Sequence, residues 1–418
     1  MQAVLLAAGQ SSRFYPFKSL GHKSYFLLLD KPIIFHTLRS IQQTDIKEVL
    51  IVVQKKDEFC DYLSSLFPSL SIQFIEQPTA EGMGDALLRV SEYIKNDFFL
   101  LHAHHVDFDQ FYSEMILAKN SADGVFLAKR TQNISRYGVL KLEGERVVEI
   151  IEKPAKGSEP SNLRLIGIYL LPLSFLHILK NTPLEHYNFE SALSNFVKKN
   201  IFHVTITNKE VVTLKYPWDI FSVSHFLLDR INPYVSHTAN VAQTAIIKGN
   251  VIVEDGATIS EGAKIKGPCF IGKNVFIGDN SLIRNYTVIN ENCVIGANTE
   301  IRNSIFQSGT KIHSGFVGDS VIGKNVSLAA GFYTANKKLN RGEITVKTAK
   351  GEERTGLRSL GVCIGDNVRV GIRVTTMPGT IIGEDAIIGP STTVMKNVPE
   401  STRYYTVFQE IIEKNVTK

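Results

Sequence analysis

The chain has 418 residues, and its 44% hydrophobic content is ordinary for a globular protein, so its length predicts two or three domains. The formal net charge of +5 comes without a basic block, which predicts no nucleic-acid partner and fits anionic small molecules equally well. No run reaches the roughly 18 consecutive apolar residues of a membrane span. The first apolar run is short and lacks a basic flank, and the four cysteines show no CxxC spacing, so a soluble, reduced, cytoplasmic protein without a membrane partner is expected.

Gln2 to Leu6 reads as a buried strand. The turn that follows, Leu6-Ala7-Ala8-Gly9-Gln10-Ser11-Ser12-Arg13, is made largely of small residues. Ala8, Gly9, Ser11 and Ser12 let the backbone approach a ligand and aim its N–H groups at phosphate oxygens. Arg13 adds a planar, permanently charged fork, and Lys23 a mobile cation. Apolar runs at 3–6, 48–53, 72–75, 98–101, 124–127 and 138–142 alternate with helical patterns such as 33–42 and 85–94. That alternation predicts a mostly parallel α/β sheet, whose ligands bind outside the carboxyl ends of the strands. The Leu6–Arg13 turn lies in that place.

LAAGxxSR, then Lys23, then Asp30-Lys31-Pro32-Ile33-Ile34, resembles the sugar-1-phosphate nucleotidyltransferases, whose motif has the form LAAGxGTRM…PKxLxxxxGKPxI. Ser11 stands for a glycine and His22 for the proline before the lysine, while the Lys23–Lys31 spacing is kept. The resemblance implies that Leu6, Ala8, Gly9, Ser11, Ser12, Arg13 and Lys23 bind a nucleoside triphosphate. It implies that Gln77 reads a pyrimidine edge with Gly82 against the base; an amide offers the donor and acceptor that uracil or thymine requires. Tyr137-Gly138, Glu152-Lys153-Pro154 and Ser161-Asn162…Gly167-Ile168-Tyr169 follow the family's order, which implies Gly138, Glu152, Lys153 and Gly167 in the sugar-phosphate site. Tyr187-Asn188-Phe189-Glu190 is similar to the family's acidic helix start. Tyr216-Pro217-Trp218-Asp219 implies Asp219 as a Mg²⁺ carboxylate; its other reading is the N-cap of a helix over 220–228. The family's other magnesium carboxylate has no direct equivalent, because His104-His105 stand where Gly-Asp is usual. His105, or Asp107 or Asp109 from a shifted loop, is left to hold Mg²⁺, although magnesium prefers oxygen. A zinc site from His102, His104 and His105 requires all three on one face, and strand alternation would split them.

After Asn232-Pro233 a branched aliphatic residue recurs every sixth position, from Val241 and Ile247 through Ile301. Small or β-branched residues follow four positions later, including Ala257, Cys269 and Cys293. A period of six fits a parallel β-helix of hexapeptide repeats and places both cysteines inward. The register is lost near Gln307, returns by Ile322, breaks at 331–360 as a projecting loop, and resumes at Ile364, Val370, Thr376, Ile382, Ile388 and Val394. The expected domains are residues 1–232 and 233–418, with 399–418 capping the open end.

With the coils included, the chain resembles bifunctional sugar-1-phosphate nucleotidyltransferase/acetyltransferases: an α/β nucleotidyltransferase with a Rossmann-like mixed sheet, followed by a left-handed parallel β-helix. Lys311-Ile312-His313-Ser314-Gly315-Phe316-Val317-Gly318-Asp319 matches that family's KxxHLSYVGD segment, with Phe316 for the tyrosine. Ala329 to Asn336 matches GAGTxTAN. The resemblance implies His313 as the general base of acetyl transfer from acetyl-CoA and Asn336 as a sugar contact. The lysines expected beyond Asn336 are Gly342 and Thr345, leaving Lys337, Lys338 or Arg341 to compensate. Three functions stay open: nucleotidyl transfer from UTP or dTTP to a hexose-1-phosphate, with or without acetyl transfer; acetyl transfer alone; and a silent nucleotide-sugar sensor. The partners expected are small-molecule substrates and further copies of the chain, as a homotrimer or a dimer of trimers.

Overall fold

The computed structural model describes residues 1–131, 134, 137–185 and 187–413. Arg136, beside the expected Tyr137-Gly138 segment, and residues 414–418 of the expected cap lie outside the described residues. The chain divides into two compact units. The first comprises Met1–Ser11, Gly21–Phe26 and Lys31–Thr213; the second comprises Ser12–Leu20, Leu27–Asp30 and Leu214–Lys418. The division at Thr213 falls ahead of residue 232 because the helix Ile220–Leu228 belongs with the coils: His225 Nε2 lies 2.7 Å from Asn303 Oδ1.

The first unit is built on a nine-stranded mixed sheet. Its order is Ser71–Glu76, Glu48–Val53, Gln2–Ala7, Phe98–His102, Leu163–Leu171, Gly124–Arg130, Phe202–Thr207, Arg146–Glu152 and Gly138–Glu143. The first four strands are mutually parallel, and Leu163–Leu171 runs antiparallel to both its neighbours in this order. Gln2–Ala7 is buried along its whole length, so its alternating side chains feed two cores. Val4 and Leu6 pack on one side with Leu50, Val52, Leu87 and Phe189; Ala3, Leu5 and Ala7 pack on the other with Leu38, Ile41, Phe111 and Met115. Helices Met83–Val90 and Asn188–Lys199 therefore cover one face, and Ile33–Gln42 and Asp109–Ala118 the other.

The second unit is a parallel β-helix. Val253, Ile271 and Ile289 stack on one face; Ile259, Ile277 and Ile295 on a second; Ile265, Ile283 and Ile301 on a third. Three hexapeptides thus make one turn, and these aliphatic residues form a single interior column. Asn274, Asn280, Asn292 and Asn298 sit at corners with φ between 53° and 58°, a conformation asparagine tolerates better than branched residues do. Cys269 and Cys293 are fully buried in the column, as their positions predict, and burial pushes both thiols up to about 12. Near Gln307 the coil continues without its period of six: Ile305 pairs with Val321 and Ile312 with Leu328, giving turns of 16 residues.

The expected projecting loop is corrected in two ways. The strand Ser327–Thr334 carries the coil past Gly331, and the excursion that follows folds back on the coils. It forms a hairpin, Thr345–Thr348 with Gly351–Arg354. Ile344 and Val346 are fully buried, and Asn397 Nδ2 donates to the Lys347 carbonyl at 2.6 Å. Alternating apolar residues gave the hairpin an inner face, which a composition rich in lysine concealed. Arg403–Tyr404 pairs with Ile387–Ile388, whereas Val407, Phe408, Ile411 and Ile412 are exposed.

Candidate functional site

In the first unit, adjacency of parallel strands gathers several loops at one edge of the sheet. The Leu6 carbonyl accepts the Ala103 N–H at 3.2 Å, joining the first turn to the end of the strand Phe98–His102. Ala8 is buried and Gly9 exposed. Ser11 adopts φ 52°, and its Oγ accepts the Lys23 N–H at 3.0 Å, which closes the turn and fixes the start of the lysine side chain. Ser12 and Arg13 are exposed and belong to the second unit.

His22, a departure from the motif, has a structural explanation. Its Nδ1 accepts the Ser24 N–H at 3.2 Å and caps the single turn Lys23–Tyr25. Burial, reinforced by the Lys23 charge, pushes this imidazole down to about 3, so it caps as a neutral acceptor. The helix-capping pattern alone, in which histidine is an unusual cap, did not reveal it.

Gln77 follows the strand Ser71–Glu76; its backbone N–H donates to the Val53 carbonyl at 2.8 Å and its side chain is buried. Its Nε2 donates to the Gly82 carbonyl at 3.1 Å and to Asp85 Oδ2 at 2.8 Å. Gly82 has φ 107°, which a side chain would strain. The two residues expected to meet a base are therefore in direct contact, and Asp85, which the sequence did not reveal, holds the Gln77 amide from behind.

The sugar-phosphate residues fall into two groups. Gly138 pairs with Glu152 across a hairpin, and a Cβ at Gly138 would lie 2.5 Å from Glu152 Oε1. Lys153, at φ 46°, donates its backbone N–H to the Tyr137 carbonyl at 3.1 Å and holds its ammonium 5.9 Å from the Tyr187 ring. The Arg164 guanidinium lies 4.6 Å from the centre of the Tyr137 ring, a cation absent from the sequence reading. Gly167 instead faces the histidines: a Cβ there would come within 2.9 Å of His102 Cδ2 and 3.7 Å of His105 Nε2.

Alternation was expected to separate those histidines. It does not, because the strand ends at His102 and the chain turns. The rings of His104 and His105 stack at 4.7 Å, and those of His102 and His104 at 5.5 Å. Stacked rings do not converge their lone pairs, and among the described residues no group of three or more His, Cys, Asp or Glu could hold a metal. Burial, with Lys23 and the neighbouring imidazoles, holds His104 well below its usual range.

The magnesium ligands expected from this loop do not fit. Asp107 is completely buried; its Oδ2 accepts the Val212 N–H at 2.7 Å and its Oδ1 lies 3.4 Å from His105 Nδ1. Asp109 is taken by Ser40 at 2.7 Å. His105 offers nitrogen from a 3% exposed ring, and magnesium requires accessible oxygens. Asp219, in the second unit, accepts the Lys215 and Tyr216 N–H groups on Oδ2 at 2.7 and 2.8 Å. It thereby caps the turn Pro217–Asp219, one turn ahead of the helix start where a cap was expected.

Also in the second unit, His313 is exposed on the strand Lys311–Gly318. Asn336 Nδ2 donates to Asp319 Oδ2, and Asp319 Oδ1 accepts from Asn303 Nδ2 at 2.7 Å. Asn303 Oδ1 in turn meets His225, so a chain of hydrogen bonds fixes the Asn336 amide. Lys338 donates to the Glu343 carbonyl at 2.8 Å, within the excursion.

Residues 2–218 match the family model of nucleotidyl transferases, and residues 268–303 and 362–396 match that of bacterial transferase hexapeptides. "Bifunctional protein GlmU" of Methanococcus maripaludis (strain C7) is 36% identical over 99% of both chains. The protein of that name from Methanococcus vannielii is 33% identical over 99% of this chain and 100% of its own. The "Bifunctional sugar-1-phosphate nucleotidylyltransferase/acetyltransferase" of Sulfurisphaera tokodaii is 32% identical over 95% of this chain and 98% of its own. The chain belongs to the bifunctional sugar-1-phosphate nucleotidyltransferase/acetyltransferase family. Its first unit is a nucleotidyltransferase, and its coils are the left-handed β-helix of hexapeptide transferases. In this chain the place expected to hold a metal carboxylate is occupied by the stacked histidines and the buried Asp107. No helix among the described residues is long and apolar enough to cross a membrane.

Proposed function

We propose that the first unit transfers a nucleoside monophosphate from UTP or dTTP to a hexose-1-phosphate, N-acetylglucosamine-1-phosphate or glucose-1-phosphate, releasing pyrophosphate. The observation that carries this is the gathering of the Ser11–Lys23 turn and the Gln77–Gly82 contact at the carboxyl ends of parallel strands. A sugar-phosphate oxygen attacks the α-phosphorus, the bond from that phosphorus to the bridging oxygen breaks, and pyrophosphate leaves. Catalysis rests on positioning and charge neutralisation. Lys23 holds the triphosphate, Gly9 and its neighbours supply N–H donors, and Gln77 reads the base. Glu152 accepts a sugar hydroxyl, while Lys153 pairs with the sugar phosphate. Magnesium enters as the counter-ion of the nucleotide and is part of that substrate.

The β-helix acetylates glucosamine-1-phosphate: His313 takes a proton from the amine as its nitrogen attacks the thioester carbon, and coenzyme A leaves as the thiol or thiolate. Asn336 orients the sugar. The protein works in the cytoplasm as a homotrimer or a dimer of trimers. The test is pyrophosphate release from UTP and dTTP across a panel of sugar-1-phosphates, together with acetyl-CoA consumption on glucosamine-1-phosphate. The buried Asp107 and His105 favour one other reading, a silent nucleotide-sugar sensor; pyrophosphate release excludes it, and tight binding without turnover establishes it.

A further inference from the structure

Gln77 has two amide hydrogens and both are used inside the protein. One goes to the Gly82 carbonyl and the other to Asp85 Oδ2. Both partners are acceptors only, so the opposite orientation of the amide would set Oε1 against two oxygens. Asp85 is itself held from its far side. Arg89, one helical turn on, donates from Nε to the same Oδ2 at 2.7 Å. Asp85 also lies in the first turn of the helix Met83–Val90, where backbone N–H groups and the helix dipole favour a carboxylate. Gln77 is 2% exposed, its main chain is tied to Val53, and it cannot turn as a whole. What remains for a ligand is Oε1, a pure acceptor.

We propose that Asp85 is a specificity-determining positioning residue: it locks the Gln77 amide so that the site accepts a hydrogen bond from the base and donates none through this side chain. The inference rests on the reading of Gln77 as the base contact and deepens it. With ring N3 set against Oε1, a base satisfies that oxygen only if the ring nitrogen carries a hydrogen; an exocyclic amine lies one position away. Uracil and thymine carry that hydrogen on N3. Cytosine has a lone pair on N3, so its approach sets acceptor against acceptor and leaves a buried oxygen without a partner. The site therefore selects UTP and dTTP over CTP by the hydrogen of one ring nitrogen, and an aspartate that never touches the nucleotide maintains the choice. A purely structural role for Asp85, as half of a helix-surface ion pair with Arg89, predicts altered stability with unaltered selectivity.

The test measures equilibrium dissociation constants for UTP and CTP by titration calorimetry on the full chain, beside pyrophosphate release with both nucleotides. Wild type, Asp85→Asn and Asp85→Ala are compared, with thermal unfolding to confirm that each is folded. Either substitution removes the Asp85 acceptor and leaves the Gly82 carbonyl alone to hold the amide, so the ratio of CTP to UTP dissociation constants is expected to fall about tenfold or more, through weaker UTP and stronger CTP binding. An unchanged ratio in both folded variants overturns the role of Asp85, while pyrophosphate release by wild type leaves the transferase reading intact. Selective UTP binding that relaxes in the variants, with no pyrophosphate from wild type, supports the inference and removes the transferase reading. Failure of wild type to bind either nucleotide overturns both.

Discussion

Ser19 Oγ donates to Asp366 Oδ2 at 2.8 Å, across 347 residues of sequence. The Ser19 N–H donates to Glu384 Oε1 at 3.0 Å, and Lys18 pairs with Glu400 at 2.7 Å. Farther on, Gln307 brackets Leu27, accepting its N–H at 3.3 Å and donating to its carbonyl at 2.8 Å. Asp30 accepts the N–H groups of Lys273 and Glu291 at 3.0 and 2.7 Å. The chain on either side of Gly21–Phe26, which contains Lys23, is thus fastened to the coils. Replacing Gln307 by Ala is expected to cost about 1–3 kcal/mol in denaturant unfolding, because both the N–H and the carbonyl of Leu27 lose their side-chain partner.

Burial holds the Asp30 carboxyl up at about 6, above its unfolded value near 4. Between those values the folded chain binds more protons than the unfolded chain, so the Asp30 contribution to stability falls as pH rises from about 4 to about 6. Denaturation midpoints for wild type against Asp30→Asn, measured across that window, are expected to diverge in this direction. Parallel curves would exclude Asp30 as the source.

Asp107 is bonded within the core and is unsuited to a metal. Asp107→Ala is expected to cost about 2–4 kcal/mol in denaturant unfolding, because the Val212 N–H loses its buried partner. The magnesium dependence of pyrophosphate release by the folded variant is expected to stay as in wild type.

Lys23 has its main chain fixed by Ser11. Lys23→Ala is expected to lower kcat/KM for pyrophosphate release by about 10²–10³-fold with an unchanged unfolding midpoint, since the charge acts on the triphosphate and not in the core.

The three cysteines of the coils are fully or almost fully buried, with thiols raised to about 12. Cys269, Cys293 and Cys363 are expected to resist alkylation in the native protein at neutral pH and to react only on unfolding. Ile283→Ala, which removes one rung of the same column, is expected to cost about 2–5 kcal/mol.

Local periodicity carried most of the fold. Glu48–Val53, Ile33–Gln42 and Ile220–Leu228 are the segments their apolar spacing predicts, and the column from Val253 to Ile301 follows its period of six. What escaped has in common a dependence on distant partners or on where an element ends. Alternation separated the histidines on paper, but the strand stops at His102 and their rings stack. Asp107 looked available until Val212, from a segment 105 positions later, took its oxygen. The 16-residue turns near Gln307 broke the sequence period without breaking the coil. Gln77 and Gly82 were legible by spacing, whereas Asp85 became visible only when the direction of the amide was known.

The path of the chain between its two units has a corollary for engineering. Before residue 31 the backbone passes from one unit to the other four times. No single cut in the gene separates the halves cleanly: a break after Thr213 leaves Ser12–Leu20 and Leu27–Asp30 stranded on the amino-terminal fragment, away from the coils that hold them. Grafting such a β-helix onto another transferase would require carrying both early segments with it.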